Sequence, residues 1–178
     1  MGTLRFPAVA AWWFLLTAPV VVLDAFFVLT RSDSRGMEHP FGKVWVLRPW
    51  TLYAKYDMRY APNDDAFVVA QSWVNLLEVA LGLAAVVLSA GRRTECALKV
   101  AVCVSVMTLG KTVLYFVMDV VEKGKYTNHV RWLDKVFMVI MPSLLWIAVP
   151  ALIAFKCLQC LAPVALPVAS VHMARKHA

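Results

Sequence analysis

The fold class this sequence predicts is an all-α membrane protein, a four-span transmembrane helix bundle with a ligand cavity, and three observations predict it. The 178 residues are 61% hydrophobic and only 16% charged, with a mean hydropathy of +0.68, an apolar share beyond that of ordinary soluble domains. Four stretches each reach the roughly 20 mainly apolar residues that a helix needs to cross a bilayer. Inside them a few polar side chains recur at helical spacing, where lipid cannot satisfy them.

The first span covers about 7–29. It is too long for the apolar core of a secretory signal, and no clear small-residue cleavage site follows it, so it is expected to stay in the chain. The connection over 30–65 mixes charges with Trp, Tyr and Phe. That composition is too aromatic for a disordered linker and suits a membrane interface, where an apolar ring body and a polar edge are both satisfied. It is expected to pack over one mouth of the bundle. Pro40, Pro49 and Pro62 exclude one continuous helix there, although "WTLYAKYDMRY" has room for a short one.

The remaining spans fall at about 66–90, 97–121 and 133–155. The loops "GRRTEC" and "EKGKYTNHVRW" between them are short, so neighbouring helices should run antiparallel within one domain, residues 1–160. The tail, 161–178, is broken by Pro163 and Pro167 and is expected to leave the bilayer along its surface.

An ionisable side chain near the bilayer centre costs about 2.5 to 3.5 kcal/mol on insertion scales. Several occur here. Gln71, Asn75 and Glu78 fall at i, i+4 and i+7 of the second span and form one stripe that should face the bundle interior. In the third span Lys111 lies between Thr108, one turn earlier, and Tyr115, one turn later. The first span contributes Asp24, and the fourth contributes Ser143 and Trp146 between Pro142 and Pro150. A structural alternative pairs Glu78 with Lys111 and uses the amides as interhelical glue worth about 0.6 to 2 kcal/mol each.

The net charge of +7 comes from Lys and Arg spread along loops and termini, without a dense basic block or interleaved base-stacking aromatics. Anionic headgroups account for it better than nucleic acid. Of the four cysteines, Cys157 and Cys160 form a CxxC that lacks the second CxxC or His pair of a zinc site. No metal and no cofactor is expected. The loop charges on one side of the membrane outnumber those on the other, which leans towards cytosolic loops. Arg175 and Lys176 in the closing "ARKHA" resemble a dibasic retrieval signal, which requires a cytosolic C-terminus.

The ordered set "LYAKYDMRY", "NDDAFVV", "VLYF" and "LLWIAVPALIAF" resembles the EXPERA family, which includes emopamil-binding protein and the sigma-2 receptor. The resemblance runs from the first span to about residue 157. It implies an endoplasmic-reticulum bundle with cytosolic termini and a cavity that binds a sterol or a similar amphiphilic lipid; it also allows a homodimer. Some members bind without catalysis, whereas others shift a sterol ring double bond from Δ8 to Δ7. That reaction needs an acid, a base and a group that stabilises a carbocation in a dry pocket.

Carried over position by position, Trp146 matches the span-four tryptophan and Asp24 the acidic residue of the first core helix. Glu78 and Asp57 resemble carboxylates of the sigma-2 receptor. The implied catalytic set is Glu78 as proton donor, Asp24 as second carboxylate and Trp146 as the cation-facing wall. Gln71, Asn75, Lys111, Tyr115 and Asp57 complete the ligand site. Three features depart from the isomerases. Their span-two glutamate, aligned without gaps from "DDAFVV", falls on Ser72, six residues before Glu78. Val20 stands where they carry a histidine, and Gly110-Lys111 stands where they tend to show Tyr-Gly.

Overall fold

A computed structural model describes residues 4–162. Four helices in it are long and apolar enough to cross a membrane: Ala8–Leu29, Ala66–Ala90, Thr94–Val121 and Trp132–Leu161, here spans one to four. No strand occurs among the described residues. The chain is therefore a multi-pass membrane protein with an all-helical fold. Arg175 and Lys176 lie outside the described residues.

Span one starts behind Pro7, and span two is capped by Asp65, whose carboxylate accepts from the Phe67 N–H at 3.3 Å. Such a cap satisfies one of the orphan donors at a helix start. Span three begins earlier than the apolar run alone indicates, because Arg92, in the left-handed region at φ 63°, reverses the chain straight after span two. Span four continues to Leu161, one residue into the segment assigned to the tail. Hydropathy measures the apolar length, whereas the backbone ladder runs on through Lys156 and Gln159.

Span four also contains one wide π turn, Val136–Ile140, immediately before Pro142. Proline lacks an N–H and its ring collides with the carbonyl four residues back, here Met138. Opening the turn relieves that collision.

The spans pack through small residues. Ala10, Ala85, Ala97 and Ala101 are wholly buried together with Leu98, Ile153 and Cys157. At Gly82 an added Cβ would lie 3.0 Å from Phe14 Cδ1, so any larger residue requires the ring to give way at that crossing. Close backbone approach of this kind is how membrane helices gain dispersion contacts without a hydrophobic driving force. The packed core sits at the end of the bundle nearer the termini, in the first halves of spans one and three and the second halves of spans two and four.

The other end is covered by the connection between spans one and two. A short helix, Arg48–Tyr53, follows a single 3-10 turn at Trp45–Leu47. His39 ties this loop to span one. Its ring stacks on Phe27 with centroids 3.9 Å apart, and its Nε2 donates to the Phe27 carbonyl at 2.7 Å. That carbonyl belongs to the last turn of span one and has no partner within its own helix.

Candidate functional site

Beneath the loop, between the covering helix and the spans, lies a cavity of about 410 Å³. That volume falls within the range of small-molecule sites, about 300 to 1,000 Å³. Asp24, Gln71, Asn75, Lys111, Tyr115 and Trp146 line it. Helical spacing brings them together: Gln71 and Asn75 are one turn apart on span two, as are Lys111 and Tyr115 on span three. Apolar surface comes from Val20, Val21 and Pro142, and the roof from Pro49, Trp50, Tyr53 and Tyr60 of the loop. Glu78 and Asp57 do not line the cavity.

One continuous polar chain crosses the site. Trp50 Nε1 donates to Asp24 Oδ1 at 2.9 Å, and Asn75 Nδ2 donates to Asp24 Oδ2 at 3.2 Å. The Asn75 carbonyl oxygen accepts from the Lys111 ammonium. Lys111 Nζ also donates to Glu78 Oε2 at 2.7 Å, and Thr108 Oγ1 donates to the same oxygen at 2.8 Å. Gln71 Nε2 donates to the Lys111 carbonyl at 3.0 Å.

Asn75 thus joins a carboxylate to an ion pair, one end of its amide serving each. Asp24 is held by neutral donors and has no cation within ion-pair distance among the described residues. Glu78 stands behind Lys111, its side chain 7% exposed against 19% for the lysine. Its second oxygen, Oε1, has no partner. A buried pair of this kind is costly to break, because either partner left alone is an uncompensated charge.

Trp146 meets Trp13 edge to face with centroids 5.1 Å apart, a favourable quadrupole geometry that fixes its ring against the cavity. Tyr115 donates its hydroxyl to Asp57. Asp57 is completely buried in the loop and also accepts from the Arg59 N–H at 3.0 Å. Burial pushes the Asp57 carboxyl above its ordinary value, against the opposing effects of the Tyr115 hydroxyl, the Arg59 N–H and the Arg59 charge. Burial also raises the Tyr53 hydroxyl well above the usual phenol range, with the Asp57 charge adding to it. For Tyr60 the same cause dominates, followed by the charge of Asp24. The roof of the cavity therefore presents un-ionised phenols.

A second buried cluster anchors the roof. Arg59, with its side chain 1% exposed, pairs with Asp65 at 3.1 Å and with Glu122 at the end of span three. Its guanidinium lies 4.6 Å from the ring centre of Tyr126 and 5.4 Å from that of Phe67. Arg31, also buried, donates to the backbone carbonyls of Arg59 and Asp65. Arg31 and Arg59 enter the loop's basic count when read from sequence, yet both are consumed inside the protein. Neither is free to bias the loop towards the cytosolic side.

The sequence carried no sign of Trp50 or Tyr60 as cavity residues. Their contacts with spans one and two depend on how the loop folds back, and only the loop's aromatic richness pointed towards the bundle mouth. Cys157, half of the CxxC, packs in the apolar core, and no group of three or more metal-ligating side chains occurs among the described residues. No family model, no curated protein and no solved structure matches this chain.

Proposed function

We propose that this chain is an EXPERA-type protein of the endoplasmic-reticulum membrane that binds a sterol or a similar amphiphilic lipid in the cavity beneath the Arg48–Tyr53 helix. The observation that carries this reading is Asp24: a carboxylate without an ion-pair partner among the described residues, facing a cavity whose aromatic and aliphatic wall is interrupted by Gln71, Asn75, Lys111, Thr112 and Ser143. A sterol is a rigid apolar ring system with one hydroxyl. Its rings match Val20, Val21, Pro142, Trp50 and Trp146, and its hydroxyl can donate to Asp24 while Gln71, Asn75 and Ser143 offer further polar partners.

Binding without catalysis is the better-supported form of the proposal. A ring double-bond shift needs both an acid and a base at the substrate. Glu78, the expected proton donor, touches Thr108 and Lys111 and lies outside the cavity lining. Its role in this reading is counter-ion to Lys111. Isomerisation remains the second form because Asp24 and Trp146, a carboxylate and a cation-stabilising ring, both line the cavity.

Equilibrium binding of a radiolabelled sterol to the purified full chain in nanodiscs tests the first form. The wild type should bind saturably, and Asp24→Asn should bind at least about ten-fold more weakly, the loss of one charged hydrogen bond. Non-saturable uptake equal to that of empty nanodiscs would refute binding. For the second form, expression in yeast lacking the sterol Δ8-Δ7 isomerase should convert Δ8 sterols to Δ7 sterols by mass spectrometry. Persistent Δ8 sterols despite good expression remove the catalytic form alone.

A further inference from the structure

The short helix that roofs the cavity has a second face. Trp50 and Tyr53 point to the cavity, whereas Arg48, Thr51, Leu52 and Lys55 line a separate open groove of about 870 Å³ on its outer side. Pro49 borders both. Lys43 and Trp45 complete the groove. We propose that this groove binds the headgroup of an anionic phospholipid, with Lys43, Arg48 and Lys55 around the phosphate and Trp45 in the interfacial layer.

The groove begins beside the end of span one. Phe41, at the start of this loop segment, packs on Phe26 with ring centroids 5.3 Å apart. Phe26 is an exposed residue in the last turn of span one. This contact sets the near edge of the groove, at Gly42 and Lys43, beside the last turn of span one. In a spanning helix the last turn is where the interfacial layer begins, so the proposed site borders that layer.

Trp45 is 79% exposed, and Phe41, Val44 and Leu52 are exposed beside it. Exposed apolar residues next to unneutralised cations are the pattern of a membrane interface, where rings sit among headgroups and basic side chains reach phosphates.

Arg48 and Lys55 have no ion-pair partner among the described residues, and Lys43 meets only Glu38, at 3.3 Å, in a pair that is almost wholly solvated. Such a pair holds its lysine weakly. The buried arginines of the same loop differ sharply: Arg59 is matched by Asp65 and Glu122. The loop pairs its buried Arg59 internally and its exposed Arg35 with Asp64 at 3.1 Å, whereas Arg48 and Lys55 in the groove are left to an external anion.

Native mass spectrometry of the full chain, released from nanodiscs of phosphatidylcholine with or without phosphatidylserine, tests the proposal. Each basic residue near the surface changes partitioning of an anionic lipid by roughly five-fold. The wild type should therefore retain phosphatidylserine over phosphatidylcholine by at least about ten-fold. The triple variant Lys43→Gln, Arg48→Gln, Lys55→Gln should lose that preference, while Lys99→Gln with Lys156→Gln, exposed lysines at the other end of the bundle, should keep it. Equal retention of the two lipids by the wild type overturns the proposal, as does an equal loss in both variants. If the triple variant fails to fold, the wild type decides alone: the preference should collapse at high salt, and a preference indifferent to salt overturns the site.

Discussion

The end of the bundle near the chain termini and the end beneath the long loop are made from the same four helices, yet they satisfy opposite demands. At the first end Ala10, Ala85, Ala101 and Gly82 let the helices close on Phe14, Leu98 and Ile153. At the second, Asp24, Asn75, Glu78 and Lys111 form a connected polar chain, and the helices leave a cavity of about 410 Å³. On spans two and three the inward side chains change from Ala85, Ala97 and Ala101 at the packed end to Gln71, Asn75 and Lys111 at the cavity. One end supplies the packing that lets the other stay open.

If that division of labour is right, its weakest point is the ion pair. Replacing Lys111 by Met strands Glu78 in a dry site and should lower the unfolding free energy in micelles by about 3 to 5 kcal/mol. Adding Glu78→Leu should restore most of that loss, since removing both charges leaves nothing uncompensated. A double variant as unstable as the single one would break the pairing argument. At the packed end, Ile153→Ala should cost about 2 to 5 kcal/mol through the cavity it opens. Its effect belongs to stability alone, so lipid binding at a temperature where the protein stays folded should not change.

Overpacking sharpens the same contrast with a smaller effect. Gly82→Leu drives a side chain into Phe14 and should cost about 1 to 3 kcal/mol, measured by the same unfolding assay. The smallest effect concerns pH. Folded Asp57 binds its proton more tightly than the unfolded chain does. Its contribution to stability is therefore complete below the ordinary carboxylate value and is lost as pH rises through the raised folded value. A melting-temperature profile of Asp57→Asn should be flatter across that window than the wild-type profile, and an unchanged slope would assign the pH dependence elsewhere.

What the sequence made legible followed from periodicity. Gln71, Asn75 and Glu78 share a stripe because three and four residues make a helical turn, and all three do reach span three or span one. Lys111 was readable as their complement, since a lone ammonium among apolar residues demands a partner. Asp24 is assigned to the site by the family resemblance alone, not by spacing. Its partners are Trp50, reached across the loop, and Asn75 on another span, and no spacing rule links them.

The burial of Arg59 was equally hidden. A charged residue in a polar loop reads as solvated, and only the folded chain brings Asp65, Glu122 and Tyr126 around it. The wide turn before Pro142 left a signal in the sequence, the proline itself, but proline predicts a disturbed helix and not which disturbance.

The most direct measurement of the central claim is photo-crosslinking of a diazirine-bearing sterol to the full chain in nanodiscs, with the adducts mapped by peptide mass spectrometry. A ligand in the cavity should label Trp50, Tyr53, Tyr60 or Trp146, and excess unmodified sterol should compete the labelling away. Adducts confined to outward-facing residues such as Trp12 and Trp73, unaffected by competitor, would contradict it, because they would report annular lipid and an unoccupied cavity.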